Sequence, residues 1–198
     1  MQHLVVVAHP VENSFTMALA RAYGAELTAL GHSVKTRDLY RMGFNPVLAA
    51  HELAPLSADR PPNPDVAAVQ DDIRATDALT VIYPLWWLSM PAIMKGYIDR
   101  VFARGFAYES RAGKVHGLLP AKTSVLITIS GAPLPALVGS GGWNAVQALQ
   151  DTHIFRSVGL KLVEHLHFDE VVPGLDSSMV ERYLELVRSC ARQHFGED

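Results

Sequence analysis

The chain has 198 residues, 49% of them hydrophobic, and a formal net charge of −3. That is apolar material for one sizeable core, expected as one domain over 1–198, and without a basic block nucleic acid is not expected as a partner. The lone cysteine, Cys190, excludes an internal disulfide, and the opening LVVVA is too short for a signal segment or a membrane span, so a cytoplasmic protein without membrane insertion is expected.

Residues 3–8 are a Val-rich apolar run, the pattern of a central parallel strand buried on both faces. Asn13 or Ser14 stands where it can cap a helix whose apolar stripe is Leu19, Tyr23, Leu27 and Leu30, with Gly31 at its end. HSVKTRDL (32–39) reads as a second, peripheral strand. Pro46, Pro55, Pro61, Pro62 and Pro64 make 40–64 an irregular excursion. A polar amphipathic helix follows over 65–76, and ALTVIYP (78–84) is a third buried strand. Pro91 suits the first turn of a helix running to about Arg104, on which Lys95, Asp99 and Arg100 read as a solvated or interface face. TSVLITIS (123–130) is a fourth strand, 131–142 a loop rich in Gly and Pro, and a helix follows from Trp143. KLVEHLHF (161–168) is the last strand. Ser178 and Glu181 predict a capping box for a closing helix with the stripe Met179, Tyr183, Leu186, Val187 and Cys190. Alternating strands and helices with right-handed crossovers give an α/β fold, a doubly wound five-stranded parallel sheet.

In such a sheet, ligands sit at the carboxyl ends of the strands, beside helix N-termini. Two junctions stand out: LVVVAHPVENSFTMALA (4–20) and YPLWWLSMPAIMKGYIDRVF (83–102). The first suits an anion, with His9 as a donor and Ser14 and Thr16 offering hydroxyls; its plainer reading is strand and helix capping. The second places Pro84, Leu85, Trp86, Trp87 and Leu88 after a strand, fit for the edge and face of a planar ring. Two adjacent Trp cannot both point inward, so one needs another surface, and packing in a core or dimer interface is the alternative. Together the junctions would cradle a flavin nucleotide. Neither a G-x-G-x-x-G nor a G-x-x-x-x-G-K-[ST] motif is present. His165 and His167 share one face of the last strand without an evident third ligand, so no metal is assigned. Asp169 and Glu170 read as a solvated strand end, and Cys190 as a core residue.

The H-x-x-x-x-S-F loop (His9, Ser14, Phe15), DLYRMGFNP (38–46), YPLWWLSMPAIMKGYIDRVF and GFAY (105–108) resemble, in order and spacing, the NAD(P)H:quinone oxidoreductases of flavodoxin-like fold. The resemblance covers most of residues 1–132 and fades beyond. It implies the strand order 2-1-3-4-5 and a flavin held by His9, Ser14, Phe15, Thr16, Pro84, Leu85, Trp86, Trp87 and Leu88, with Ile129, Ser130, Gly131 and Ala132 in place of a stretch that wraps the flavin in relatives. Trp87 and Tyr108 are the implied substrate contacts. Leu88 departs from the family by being aliphatic. A larger departure is PLPALVGSGGWN (133–144), which lacks the Tyr and His proposed to assist proton transfer in the best-known quinone reductases. No catalytic acid or base is therefore named. The implied activity is two-electron, ping-pong hydride transfer from NAD(P)H through flavin to a quinone, in a homodimer with the site at its interface, the flavin being FAD with FMN as the alternative. Azo or nitro compounds are alternative acceptors. The alternative of another kind is a regulatory flavoprotein subunit of a potassium-efflux system; an electron carrier fits the aromatic loop less well.

Overall fold

The computed structural model describes residues 1–54, 61–120 and 122–196. Five strands, β1 (Gln2–Val7), β2 (Ser33–Asp38), β3 (Ala78–Pro84), β6 (Thr123–Ile129) and β7 (Lys161–Phe168), form one parallel sheet in the order β2-β1-β3-β6-β7. In terms of the five main strands this is the expected 2-1-3-4-5. A separate antiparallel hairpin, β4 (Tyr108–Arg111) and β5 (Lys114–Gly117), was not foreseen. Its turn is Ala112-Gly113, both at positive φ, the two-residue geometry that matches strand twist.

Continuous apolar strands are buried on both faces because helices cover both. On one face Leu4, Val6, Leu79, Val81, Tyr83 and Leu126 meet helices α2 (Pro64–Ala75) and α3 (Ala92–Val101). On the other, Val5, Val7, Ile82, Val125 and Ile127 meet α1 (Phe15–Ala29) and α6 (Ser177–Phe195). The loop expected at 131–142 contains a short helix, α4 (Leu134–Gly139). Beyond it α5 (Gly142–Val146) runs into a π-helical stretch, Gln147–Arg156.

Several local expectations are corrected. The closing helix is capped by Asp176, whose carboxylate accepts from the Ser178 amide, so Ser178 and Glu181 form no capping box. Leu186 lies on the exposed side of that helix, and Ala191 and Phe195 complete the buried stripe instead. The third helix ends at Val101, not Arg104. Asp169 is no solvated strand end: its carboxylate accepts from the Leu134 amide at 2.6 Å and holds the start of α4. Nor is Arg100 on a solvated face. It is buried, paired with Glu52 (3.0 Å) and Asp65 (2.6 Å), and donates to the Asn45 carbonyl (2.7 Å). This ties the irregular excursion to α2 and α3. Gly96 completes the seam, since a Cβ there would lie 2.3 Å from the Pro46 carbonyl oxygen. Of the excursion's prolines, Pro55 lies outside the described residues.

Candidate functional site

The carboxyl ends of β1, β3 and β6 enclose a cavity of about 180 Å³. His9, Phe15, Thr16, Pro84, Leu85, Trp86, Ile129, Ser130 and Gly131 line it, all expected from the sequence, together with Val171, which was not. Adjacent strand ends bring residues 120 positions apart to one place, and the register does the aligning: Pro84 pairs with Ile129, and Leu85 N–H donates to the Ile129 carbonyl at 2.7 Å.

On the β1 side the chain turns tightly after the strand. Val11 N–H donates to His9 Nδ1 at 3.1 Å. The same nitrogen lies 3.2 Å from the Val11 carbonyl, so Val11 holds the ring by Nδ1. Burial first, and then the positive charge of Arg41, push the His9 pKa down, so the neutral ring is the working form at pH 7. Ser14 caps α1, its hydroxyl accepting from Met17 N–H at 3.3 Å. The hydroxyl thus faces the helix, while the first-turn amides have no intrahelical partner and carry the positive end of the helix dipole. Arg41, which the sequence did not single out, supports this loop. Its guanidinium donates to the carbonyls of His9 (2.9 Å) and Pro10 (2.8 Å) and pins the loop. The only signal for it was its place in DLYRMGFNP (38–46).

The β3 side is built differently. Trp86 and Ser89 exchange backbone hydrogen bonds at 3.0 and 3.1 Å, closing a two-residue turn. Its central residues, Trp87 (φ 55°) and Leu88 (φ 58°), both sit in the left-handed region without being glycine. This conformation costs about 1–3 kcal/mol per residue and persists only where the surroundings or function demand it. Trp86 is 42% exposed and stands edge-on to His9, ring centroids 6.1 Å apart. Trp87 is 100% exposed and does not line the cavity. Leu88 packs beside Gly142.

From β6, Ser130 donates to the Ala132 carbonyl at 2.7 Å, so Ala132 shapes the turn without lining the cavity. A Cβ at Gly131 would make only ordinary contacts at 3.5 Å, so the fold itself does not require glycine there. Tyr108 lies elsewhere. It lines a second groove of about 380 Å³ with Ile98, Phe102, Val115 and Ile154. Among the described residues no group of three or more His, Cys, Asp or Glu is arranged for a metal. Cys190 is buried and its thiol pushed up to about 12, which makes it inert.

Residues 1–189 match the family described as flavodoxin-like fold. The chain belongs to that family. The match runs well past residue 132, where the motif resemblance faded. The chain is 42% identical over 123 residues to an uncharacterized NAD(P)H oxidoreductase of Haemophilus influenzae, covering 62% of this chain and 60% of that protein. The chain spans between 54% and 60% of the length of the curated relatives it first matches. Among solved structures it is similar to the NAD(P)H:quinone oxidoreductase from Methanothermobacter marburgensis, with 31% identity, TM-score 0.89, and 97% and 98% of the two chains covered. It also shares the fold of an FMN-dependent NADH-azoreductase from Bacillus anthracis in complex with FMN, at 14% identity, TM-score 0.72 and 97% and 98% coverage; that likeness shows the fold alone. This flavodoxin-like chain is thus homologous to NAD(P)H:quinone oxidoreductases. Among the described residues no helix is long and apolar enough to cross a membrane.

The donor set fits the phosphate and ring of a flavin nucleotide. The His9 ring and the first-turn amides of α1 suit phosphate, while Pro84, Leu85 and Trp86 offer a flat apolar wall. The cavity of one copy is about 180 Å³, below the roughly 300 Å³ at which ligand pockets begin.

Proposed function

We propose that the chain is a flavin-dependent NAD(P)H:quinone oxidoreductase that works as a homodimer. The observation carrying this reading is the pairing, in one cavity, of an anion-binding helix start with the Trp86 wall across from it. A bound flavin would supply two-electron chemistry, accepting a hydride from NAD(P)H and passing it to a quinone. The protein's own part is to bind and orient. His9 and the α1 amides would hold phosphate, Trp86 and Leu85 would flank the ring, and Ser130 and Gly131 would close its far side. Ser14 would act as the cap, its hydroxyl accepting from Met17 N–H and keeping its own hydrogen to donate to phosphate. Tyr108 faces a different groove from the cavity of its own chain, so its proposed contact with quinone would come from one copy into the cavity of another. Trp87, fully exposed, has the same requirement. FAD is favoured over FMN, because the excursion at 40–54, held on α2 and α3 by Arg100, offers a wall for a second nucleotide half.

The test is the absorbance spectrum of the purified protein, with mass analysis of any released chromophore, followed by turnover of menadione with NADH and with NADPH. A yellow protein that oxidises either nucleotide with menadione supports the reading. A colourless protein that fails to quench FAD or FMN fluorescence rejects it. A flavin-loaded protein without turnover favours the regulatory role. In sedimentation a dimer is expected, and Tyr108→Ala should raise the menadione KM more than it changes flavin content.

A further inference from the structure

Five side chains form an unbroken line of hydrogen bonds beside the cavity. Asp151 Oδ1 lies 2.8 Å from His165 Nδ1. His165 Nε2 lies 2.9 Å from Thr128 Oγ1, and Thr128 Oγ1 2.9 Å from His167 Nδ1. His167 Nε2 lies 3.0 Å from Ser130 Oγ. The alignment comes from the sheet. A bulge at the start of β7 shifts its register, so that Leu126 pairs with His165 and Thr128 with His167. Residues two apart in a strand share a face, so both imidazoles meet the one hydroxyl. Trp143 covers both rings, at 5.0 and 4.6 Å. Thr128, Ser130 and Asp151 are buried. The two ends of the line open in different places: Asp151 and His165 line a groove of about 210 Å³ with Gln147, Arg156 and Glu164, whereas Ser130 lines the cavity described above.

Donor counting gives the line two complete arrangements. With Asp151 ionised, it accepts from His165 Nδ1–H. His165 Nε2 then accepts from the Thr128 hydroxyl, which accepts from His167 Nδ1–H, and His167 Nε2 accepts from the Ser130 hydroxyl. With one more proton, on Asp151, every donor is reversed. Asp151 donates to His165 Nδ1, His165 Nε2–H to Thr128, Thr128 to His167 Nδ1, and His167 Nε2–H to Ser130. The Ser130 hydrogen is released from the ring, with the Ala132 carbonyl at 2.7 Å as its resting acceptor.

We infer that Asp151, His165, Thr128, His167 and Ser130 are a proton relay from the groove to the cavity. The inference rests on the proposed function. In that reaction NAD(P)H, a quinone and one proton give NAD(P)⁺ and a hydroquinone: hydride carries two electrons and one hydrogen, and the second hydrogen must arrive as a proton. One hop at each link of the protonated line moves a proton out through Ser130 Oγ to the atom made basic by reduction. It also returns the line to its first arrangement, to be recharged by water at Asp151. Burial first, then the charge of His165, push the His167 pKa down to about 4, against a smaller opposing pull from Asp169. The doubly protonated ring is therefore disfavoured at neutral pH, and His167 carries one proton in either arrangement.

Thr128→Val keeps the shape and removes the central link; Thr128→Ser restores it. The first readout needs no turnover. Imidazole ¹⁵N shifts of the purified protein at pH 7.5 should show His165 protonated on Nδ1, and Thr128→Val should change the tautomer balance of both rings, with Thr128→Ser near wild type. Protonation of His165 on Nε2 in the wild type, or rings indifferent to Thr128→Val, would overturn the relay even if the protein lacked flavin or quinone turnover. In flavin-loaded protein, oxidation by menadione should slow tenfold or more in Thr128→Val and its solvent deuterium isotope effect should fall, while reduction by NADH is unchanged and Thr128→Ser recovers both. A folded, flavin-loaded Thr128→Val with wild-type pH profile and isotope effect would likewise overturn it. Should Thr128→Val not fold, Ser130→Ala, at the open end of the line, carries the first readout: the His167 tautomer balance should change, and a His167 ring indifferent to the substitution would overturn the relay.

Discussion

The loops after β1 and β3 face each other across one cavity and are held in opposite ways. The β1 loop is fastened from every side: Arg41 grips two of its carbonyls, Val11 fixes the His9 ring, and Ser14 closes the helix start. The β3 loop closes its tip on two hydrogen bonds of its own, carries two strained residues there, and points a whole indole into solvent. A rigid, polar wall suits a ligand that stays, since its donors must be placed before the ligand arrives. A strained, exposed wall suits something that comes and goes, or a second protein surface. Each wall can be broken separately.

The largest effect is expected at Arg41. Arg41→Ala removes two charge-assisted hydrogen bonds to solvent-exposed carbonyls, each worth about 1 kcal/mol. Flavin affinity, measured by fluorescence quenching, should fall by at least tenfold with little change in the far-ultraviolet spectrum. Unchanged affinity would show that the loop holds its shape without the guanidinium. His9→Ala should weaken FAD or FMN by about 1–3 kcal/mol through loss of one donor to a charged group, and leave riboflavin, which has no phosphate, nearly unaffected. Equal losses for both ligands would make His9 structural.

Acid should act on both ends of the sheet. His3 is buried with neither ring nitrogen hydrogen-bonded, stacks on His32, and has its pKa pushed down to about 4, chiefly by burial; His167 is also lowered to about 4. Both bind fewer protons folded than unfolded. Their contribution is therefore fully present above the ordinary value of about 6.5 and is lost as pH falls from there toward about 4. For His3 the loss is on the order of 1–3 kcal/mol. Urea melts between pH 7.5 and 4 should show that slope, and His3→Leu should flatten it. A slope unaltered by His3→Leu would assign the acid sensitivity elsewhere.

The central strands were legible because short apolar runs bounded by turn signals read as buried parallel strands, their order because of the family resemblance, and most of the cavity wall because a sheet of that order brings those strand ends together. What was not legible depended on partners distant in sequence. Arg100 looks like a solvated helix residue until the fold delivers Glu52 and Asp65, 48 and 35 positions away. Asp169 looks like a frayed strand end until α4 presents the Leu134 amide. His165 and His167 were visible as a pair, but Asp151 and Thr128, which give the pair its chemistry, are set by the bulge in β7 and by the π-helical stretch, and neither has a sequence signature. The β4–β5 hairpin hid behind Ala112-Gly113, a weaker turn signal than Asn-Gly.

The smallest expected effect is the sharpest test of the contrast between the two walls. Trp87 makes no buried contact in its own chain, so removing its ring costs no core packing. Its φ of 55° penalises any residue with a Cβ, and glycine relieves that by roughly 1–2 kcal/mol. The freedom glycine gives the unfolded chain takes back roughly 0.5–1 kcal/mol. Trp87→Gly should therefore be neutral to slightly stabilising in the monomer, by up to about 1 kcal/mol, whereas Trp87→Ala keeps the strain and should gain nothing. If the exposed indole serves a visiting ring, both variants should lose activity with menadione while melting at or above the wild-type temperature. If it serves a dimer interface, both should lower the melting temperature in a concentration-dependent way and shift sedimentation toward the monomer. A glycine variant that melts no higher than the alanine one, with activity intact, would mean that the turn at Trp86–Ser89 stores no strain and that the two walls differ only in exposure.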